Sequence, residues 1–228
     1  MKKRLLATIF TCLMAGITYA EVLFFDPSYF KQPFEPCFDP KLFDVLYYKP
    51  ETLEVYDVPE EATPYLHVNQ AFTTVNNGSA GEIRYSLFRQ NINVKASDVM
   101  NEKLEQFSRE VLRIIVGNGK MPKLLECDAD KRINDSMVFK TFNGTKAYCA
   151  FIKKADSEFS KGYKYVYVEF MYKITQGLCV RTFLGNDLDF FGMDKKLNIR
   201  PDSDFAKNYN SFVFMDRDKK GYIFPGRE

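Results

Sequence analysis

The pattern of hydrophobic and polar residues predicts a β-hairpin followed by one long amphipathic helix. Residues 65–75 and 82–92 are rich in β-branched and aromatic side chains, and the segment Asn76–Ser79 between them is typical of a turn. From Ser97 to Val116, apolar side chains recur every three or four residues, and Gly117 follows. This spacing predicts a helix of about five turns with one apolar face.

Further strands are predicted in the second half of the chain, where apolar runs are separated by turn residues. The predicted strands cover residues 137–142, 145–153, 163–174 and 178–184. A short helix over residues 201–209 and a last apolar piece over residues 211–215 follow. An antiparallel sheet needs at least one covered face, and the two helices can supply that cover.

These elements predict an α+β fold. An antiparallel sheet, made of a hairpin plus a four-stranded meander, packs against one long helix and a short C-terminal helix. The predicted sandwich domain covers residues 65–215, and a charged tail covers residues 216–228. The preceding residues 21–64 are expected to form an irregular N-terminal arm, because seven of the ten prolines lie there.

The order of elements resembles the PsbP/DcrB-like α/β sandwich family, over roughly residues 65–215. The matching stretches are Glu82–Ile92, Ser97–Val116, Tyr163–Leu184 and Phe205–Phe214. Members of that family are often extracytoplasmic accessory or binding proteins without catalytic machinery. The resemblance therefore implies a role of that kind, and it carries no ligand-binding residues over to this chain.

The first twenty residues have the pattern of a bacterial-type signal peptide. Lys2, Lys3 and Arg4 precede an apolar run, and cleavage is expected after Ala20. An uncleaved membrane anchor is the alternative, but the apolar run is short for a bilayer span. We therefore expect an exported protein, periplasmic or secreted, with no membrane span after cleavage.

The near-neutral total charge conceals an acidic arm and a basic body. The chain has 32 Lys and Arg against 30 Asp and Glu. Residues 21–64 contain ten acids and three bases, whereas residues 65–228 contain 20 acids and 26 bases. We therefore expect the arm and the body to attract each other. No stripe of Arg and Lys alternates with aromatic residues, so nucleic-acid binding is not expected.

The arm is also rich in aromatic residues, and one short pattern occurs twice. Phe25-Asp26-Pro27 is followed by Tyr29 and Phe30, and the same Phe-Asp-Pro pattern recurs at residues 38–40. The arm either packs on its own body or binds an envelope or extracellular partner. The candidate contact residues are Phe25, Tyr29, Phe30, Phe38 and Phe43.

Four cysteines follow the leader, and an exported chain with an even number of cysteines favours disulfide bonds. They are Cys37, Cys127, Cys149 and Cys179. All three pairings stay open, and four buried thiols are the alternative. If all four cysteines pair, one bond ties the arm to the body. No Cys-x-x-Cys pair occurs and His67 is the only histidine, so no metal site or cofactor is expected.

Catalytic motifs are scarce. His67 lies in a strand-like run without a nucleophile motif nearby. Closely spaced carboxylates occur at Asp187/Asp189, Asp202/Asp204 and Asp216/Asp218. The expected function is an exported, non-catalytic binding or accessory protein. The alternative is a secreted hydrolase whose carboxylates converge only in three dimensions.

Overall fold

The structure is a computed structural model that describes most of the chain after Lys31. The described residues are 32–39, 43–47, 49, 53–58, 66–74, 81–126, 142–160, 162–174, 176–188, 190–192 and 212–215. All of them except Gln32 belong to one compact unit, Pro33–Glu228. The predicted signal peptide, the short helix over 201–209 and the tail over 216–228 lie outside the described residues.

An eight-stranded antiparallel sheet forms the centre of this unit. The strands of the chain are β1 (Phe34–Pro36), β2 (Val45–Tyr47), β3 (Leu53–Val55), β4 (Gln70–Thr74), β5 (Gly81–Gln90), β6 (Leu125–Glu126), β7 (Lys146–Ile152), β8 (Tyr165–Lys173), β9 (Gly177–Gly185) and β10 (Phe212–Phe214). The order across the sheet is β3-β4-β5-β9-β8-β7-β6, and β1 also pairs with β5. Strands β2 and β10 form a separate two-stranded ribbon.

One long helical segment follows β5. It begins with a short turn, α1 (Ala96–Asp98), continues as a π-helical stretch over Val99–Lys103, and ends as α2 (Leu104–Val116). The buried residues of α2 are Leu104, Phe107, Ser108, Val111, Leu112, Ile115 and Val116. Their spacing of three and four residues places them on one face, as the sequence pattern predicted.

Both faces of the sheet are covered. The side chains of α2 form one apolar cluster with Phe88, Val168, Val180 and other residues of the sheet. On the opposite face, the β2–β10 ribbon covers a second cluster, in which the Tyr47 ring lies 5.0 Å from that of Tyr85. Because neither face is open to water, every residue of β9 is buried. The α+β class, with mostly antiparallel strands and one long helix, agrees with the sequence prediction.

The arm differs from the irregular structure predicted for it. Within residues 33–58, strands β1 and β3 extend the main sheet, and β2 pairs with β10. The Phe34 ring lies 5.0 Å from that of Phe107 on α2. The described part of the arm therefore packs on its own body. The reason is that β5 is longer than β4, and β1 pairs with the end of β5 that β4 leaves open.

One predicted strand of the meander is largely untested, and a strand that was not predicted lies beside β7. Strands β7, β8 and β9 follow one another antiparallel, as predicted, but the strand beside β7 is β6. Residues 137–141 of the predicted strand lie outside the described residues, and Phe142 is not in a strand. A two-residue strand such as β6 is defined by its neighbour, so no local pattern indicates it.

Candidate functional site

An open groove of about 820 Å³ lies where α2 ends. Three segments line it: the last turn of α2 with the following Gly117 and Asn118, the β7–β8 loop, and Asn186 after β9. The lining residues are Arg113, Ile114, Gly117, Asn118, Ala155, Asp156, Ser157, Glu158, Phe159, Ser160, Gly162, Tyr163, Lys164 and Asn186.

The β7–β8 loop is tied to the end of α2. Ser157 Oγ donates a hydrogen bond of 2.7 Å to the carbonyl of Ile115, and the Asp156 amide donates one of 2.9 Å to the carbonyl of Val116. These bonds satisfy carbonyls that the end of a helix leaves without partners. Gly117 has φ +63°, and a Cβ there would collide with the backbone of Asp156. The groove therefore requires glycine at this position.

A buried network of charged side chains on β5 also binds the β7–β8 loop. Arg84 Nε donates to Glu82 Oε2 at 2.7 Å, and its Nη1 donates to the Phe159 carbonyl at 2.5 Å. Tyr163 donates its hydroxyl to Glu82 Oε1 at 2.6 Å. Burial, together with this bond to Glu82, raises the pKa of Tyr163 above its ordinary value. The phenol, which is protonated at neutral pH in any case, therefore continues to donate to Glu82 at alkaline pH.

The groove offers hydrogen-bonding and charged groups of both signs. Arg113 and Lys164 supply cations, and Asp156 and Glu158 supply carboxylates. The Ser157 and Ser160 hydroxyls lie 2.9 Å apart and form a hydrogen bond with each other, so their role is to stabilise the loop. The site is therefore suited to hold a polar ligand.

The structure separates the aromatic candidates of the arm. Phe38 is 71% exposed, and its ring lies 5.1 Å from that of His67. Phe43 is buried, with its ring 6.2 Å from that of Phe214. The other three candidates, Phe25, Tyr29 and Phe30, lie outside the described residues. Only Phe38 of the described pair is placed to contact a partner.

Three of the four cysteines are buried thiols, and no disulfide joins them. The Cys37 amide donates to the carbonyl of Leu87 on β5, and Cys179 on β9 is the partner of Leu87 on the other side. Two strand spacings, about 9.5 Å, therefore separate Cys37 from Cys179, which exceeds the Cα separation of a disulfide. None of the three described cysteines forms the predicted bond between the arm and the body, and Cys127 lies outside the described residues. Burial raises the pKa of the Cys37 and Cys179 thiols.

The carboxylate pairs of the sequence do not form a site in the described part of the chain. Asp187 is exposed beside the groove residue Asn186, but Asp189 and the pairs at 202/204 and 216/218 lie outside the described residues. Among the described residues, no group of three potential metal ligands occurs. Within the same residues, no helix combines the length and apolar character needed to cross a membrane.

Sequence reasoning missed the charged residues inside the sheet. Glu169 and Arg181 form a fully buried ion pair of 2.5 Å, and the guanidinium lies 4.8 Å from the Phe142 ring. Glu82 and Arg84 of the groove network are buried in the same way. The signal was present, because a single charge inside a long apolar strand must find a partner if the strand is covered on both faces.

Comparisons with known proteins give no relative. No protein-family model matches the chain, and no curated protein or solved structure matches it either. The resemblance to the PsbP/DcrB-like family stays a prediction.

Proposed function

We propose that this chain is an exported, non-catalytic binding or accessory protein, and that the groove at the end of α2 holds its ligand. The observation that carries the proposal is the attachment of the β7–β8 loop. Hydrogen bonds attach the loop to the end of α2, and further hydrogen bonds attach it to the buried Glu82–Arg84 pair of β5. A binding loop positioned in this way loses little conformational entropy when a ligand binds.

The size and lining of the groove support a small polar ligand. Its volume of about 820 Å³ lies within the range of small-molecule sites. Arg113 and Lys164 can bind an anionic group, and Asp156 and Glu158 can bind a cationic one. A zwitterionic or otherwise polar molecule satisfies both kinds of group.

The bacterial-type leader and the resemblance to the PsbP/DcrB-like family support the exported location. We expect the mature protein to begin at Glu21 and to be found in the periplasm or the medium. N-terminal sequencing of the protein recovered from each fraction tests this. An intact leader on membrane-bound protein would contradict it.

Ligand binding is tested by thermal unfolding against a panel of amino acids, sugars and nucleotides. We expect at least one compound to raise the Tm of the wild-type chain but not of the Arg113→Ala variant. Arg109→Ala is the matched control, because Arg109 lies one turn earlier on the same helix and does not line the groove. The proposal fails if no compound raises the Tm, or if Arg113→Ala responds like the control.

The alternative, a secreted hydrolase, has one specific observation in its favour. Asp156 and Glu158 line the same groove and come from the same loop, and a pair of carboxylates bordering one space is the arrangement that glycoside hydrolysis uses. Assays with chromogenic glycosides decide between the two functions. Hydrolysis that is lost in both Asp156→Asn and Glu158→Gln, but kept in Glu105→Gln on the exposed face of α2, would support the hydrolase.

A further inference from the structure

Phe38 is exposed on a backbone that is held in place. The Cys37 amide donates to the Leu87 carbonyl at 2.8 Å, and the Asn69 side chain donates to the Cys37 carbonyl at 2.5 Å. Cys37 Sγ donates to the Asp39 carbonyl at 3.1 Å, so the residue after Phe38 is tied to the anchored residue before it. The side-chain oxygen of Asn69 in turn accepts from the Leu87 amide at 2.7 Å. The exposed ring of Phe38 is therefore attached to a backbone that hydrogen bonds hold at Cys37.

Such a ring is suited to be the centre of an interface. Phe38 is 71% exposed, so most of its apolar surface is still in water, and burying that surface against a partner is favourable. The entropic cost of ordering its backbone has already been met during folding. Among the described residues, the ring of His67 lies 5.1 Å from that of Phe38 and is tilted to it by 50°.

The surroundings of Phe38 are acidic. Asp39 is exposed directly after it, and Glu35 is exposed on β1 before it. The Tyr56 amide donates to the Ala71 carbonyl, so the register also brings the exposed Asp57 alongside the start of β4, next to Asn69. Arg89 lies opposite Glu35 across the strand pair and offsets its charge, so Asp39 and Asp57 supply the excess of negative charge among the described residues here. Across residues 32–58, the described charged residues are five acids and one lysine.

We infer that Phe38 and the acids around it form a docking surface for a protein partner, which offers an apolar pocket bordered by lysines or arginines. None of these residues lines the groove. The inference adds to the proposed function, because it specifies the chemistry of the partner that the arm would contact. An acidic rim around a central aromatic residue favours a basic protein surface. The same rim disfavours an anionic membrane, which would repel the carboxylates.

Site-specific photo-crosslinking in the native cells tests the inference. A benzophenone-bearing phenylalanine replaces Phe38 in one variant and Ile92 in the control. Ile92 is 93% exposed after β5, beyond the opposite end of β1. We expect one discrete protein adduct from position 38 and none from position 92. Mass spectrometry of that adduct should place the crosslink in a basic, apolar-lined surface. No adduct at position 38, an adduct to lipid, or equal products at both positions would overturn the inference.

Affinity measurements with the purified partner are the second part of the test. Phe38→Ala should weaken binding about tenfold or more, while Ile92→Ala leaves it unchanged. Raising NaCl from 50 to 500 mM should weaken binding of the wild-type chain several-fold, because surface charges are screened. Unchanged affinity in Phe38→Ala or in high salt overturns the inference. A failed ligand search at the groove would leave these results unaffected, so the two proposals fail separately.

Discussion

At the scale of single residues, the buried charges have the largest energetic consequences. Glu169 and Arg181 neutralise each other inside an apolar cluster, where an unpaired charge would be very costly. Each charge depends on the other, because cross-strand pairing of β8 and β9 places Glu169 opposite Arg181. A shift in the register of these two strands would separate the two charges and would therefore cost free energy.

Replacing Glu169 by Leu should destabilise the fold by about 3–5 kcal/mol, because it leaves the Arg181 guanidinium buried without its counter-charge. Urea unfolding measures the change. The control is Glu105→Ala, which breaks the half-exposed ion pair with Arg109 and should cost less than about 1 kcal/mol. Adding Arg181→Met to Glu169→Leu should recover much of the loss. Equal effects of the buried and the exposed single variants would contradict this view.

Tyr172 predicts how stability depends on alkaline pH. Burial raises its pKa from 10.0 to about 12, and its hydroxyl donates to Gln90 Oε1 at 2.9 Å. The unfolded chain therefore loses this proton from about pH 10 upward, whereas the folded chain keeps it until about pH 12. Its contribution to the free energy of unfolding is complete below pH 10 and is lost as pH rises toward 12. We expect Tyr172→Phe to show a shallower decline over this interval in urea unfolding, and parallel declines would contradict this.

At the scale of elements, β1 shows how a three-residue strand becomes part of the core. Its first residue, Phe34, packs between Phe107 of α2 and Tyr172 of β8. Four residues later, Phe38 is exposed. Two phenylalanines in one short segment therefore have opposite roles, and local sequence does not distinguish them. Phe34 lies in β1, against the helix, whereas Phe38 lies two residues beyond the end of β1, so their roles follow from where the strand ends.

This contrast predicts different results for two otherwise identical substitutions. Phe34→Ala should lower the free energy of unfolding by about 3–5 kcal/mol, because it opens a cavity under α2. Phe38→Ala should change it by about 0.5 kcal/mol or less, because the side chain is exposed. Chemical unfolding of the two variants side by side checks this. Similar losses in both variants would show that Phe38 also supports the fold.

At the scale of the whole molecule, the described part of the arm belongs to the same folded core as the body. Leu53 of β3 and Phe43 lie in the same apolar cluster as Tyr85 and Phe183 of the main sheet. We therefore expect the opposite charges of arm and body to contribute less to their association than these apolar contacts do. Apolar burial and backbone hydrogen bonds are not screened by salt.

Removing residues 21–64 should therefore unfold the remaining body, because it exposes one edge of β5 and part of the second apolar cluster. Circular dichroism of the shortened chain measures this. In the intact mature chain, 1 M NaCl should leave the Tm nearly unchanged. A folded shortened chain would show that the body does not need the arm, and a large fall of Tm in salt would show that charge attraction is the main link.

Much of the candidate site could not be predicted from the sequence. The sequence indicates the end of a helix at Gly117, which lines the groove, and the predicted strand over 178–184 puts Asp187 shortly after a strand, beside the groove residue Asn186. Nothing in the sequence of the β7–β8 loop indicated a groove, because its shape depends on hydrogen bonds from Ser157 to α2 and from Arg84 of β5. Those partners are distant along the chain, so local patterns do not report them.

The sequence by itself determined the elements whose cause is local. The helix over Leu104–Val116 and the strands β5, β7, β8 and β9 follow from side-chain period and turn residues within a few positions. Only the tertiary structure decided the pairing of β1 with β5 and of β2 with β10, the ion pair of Glu169 and Arg181, and the exposure of Phe38. The physical reason is that these features join segments far apart in the chain, and each exists only because another segment supplies its hydrogen bonds, its counter-charge or its cover.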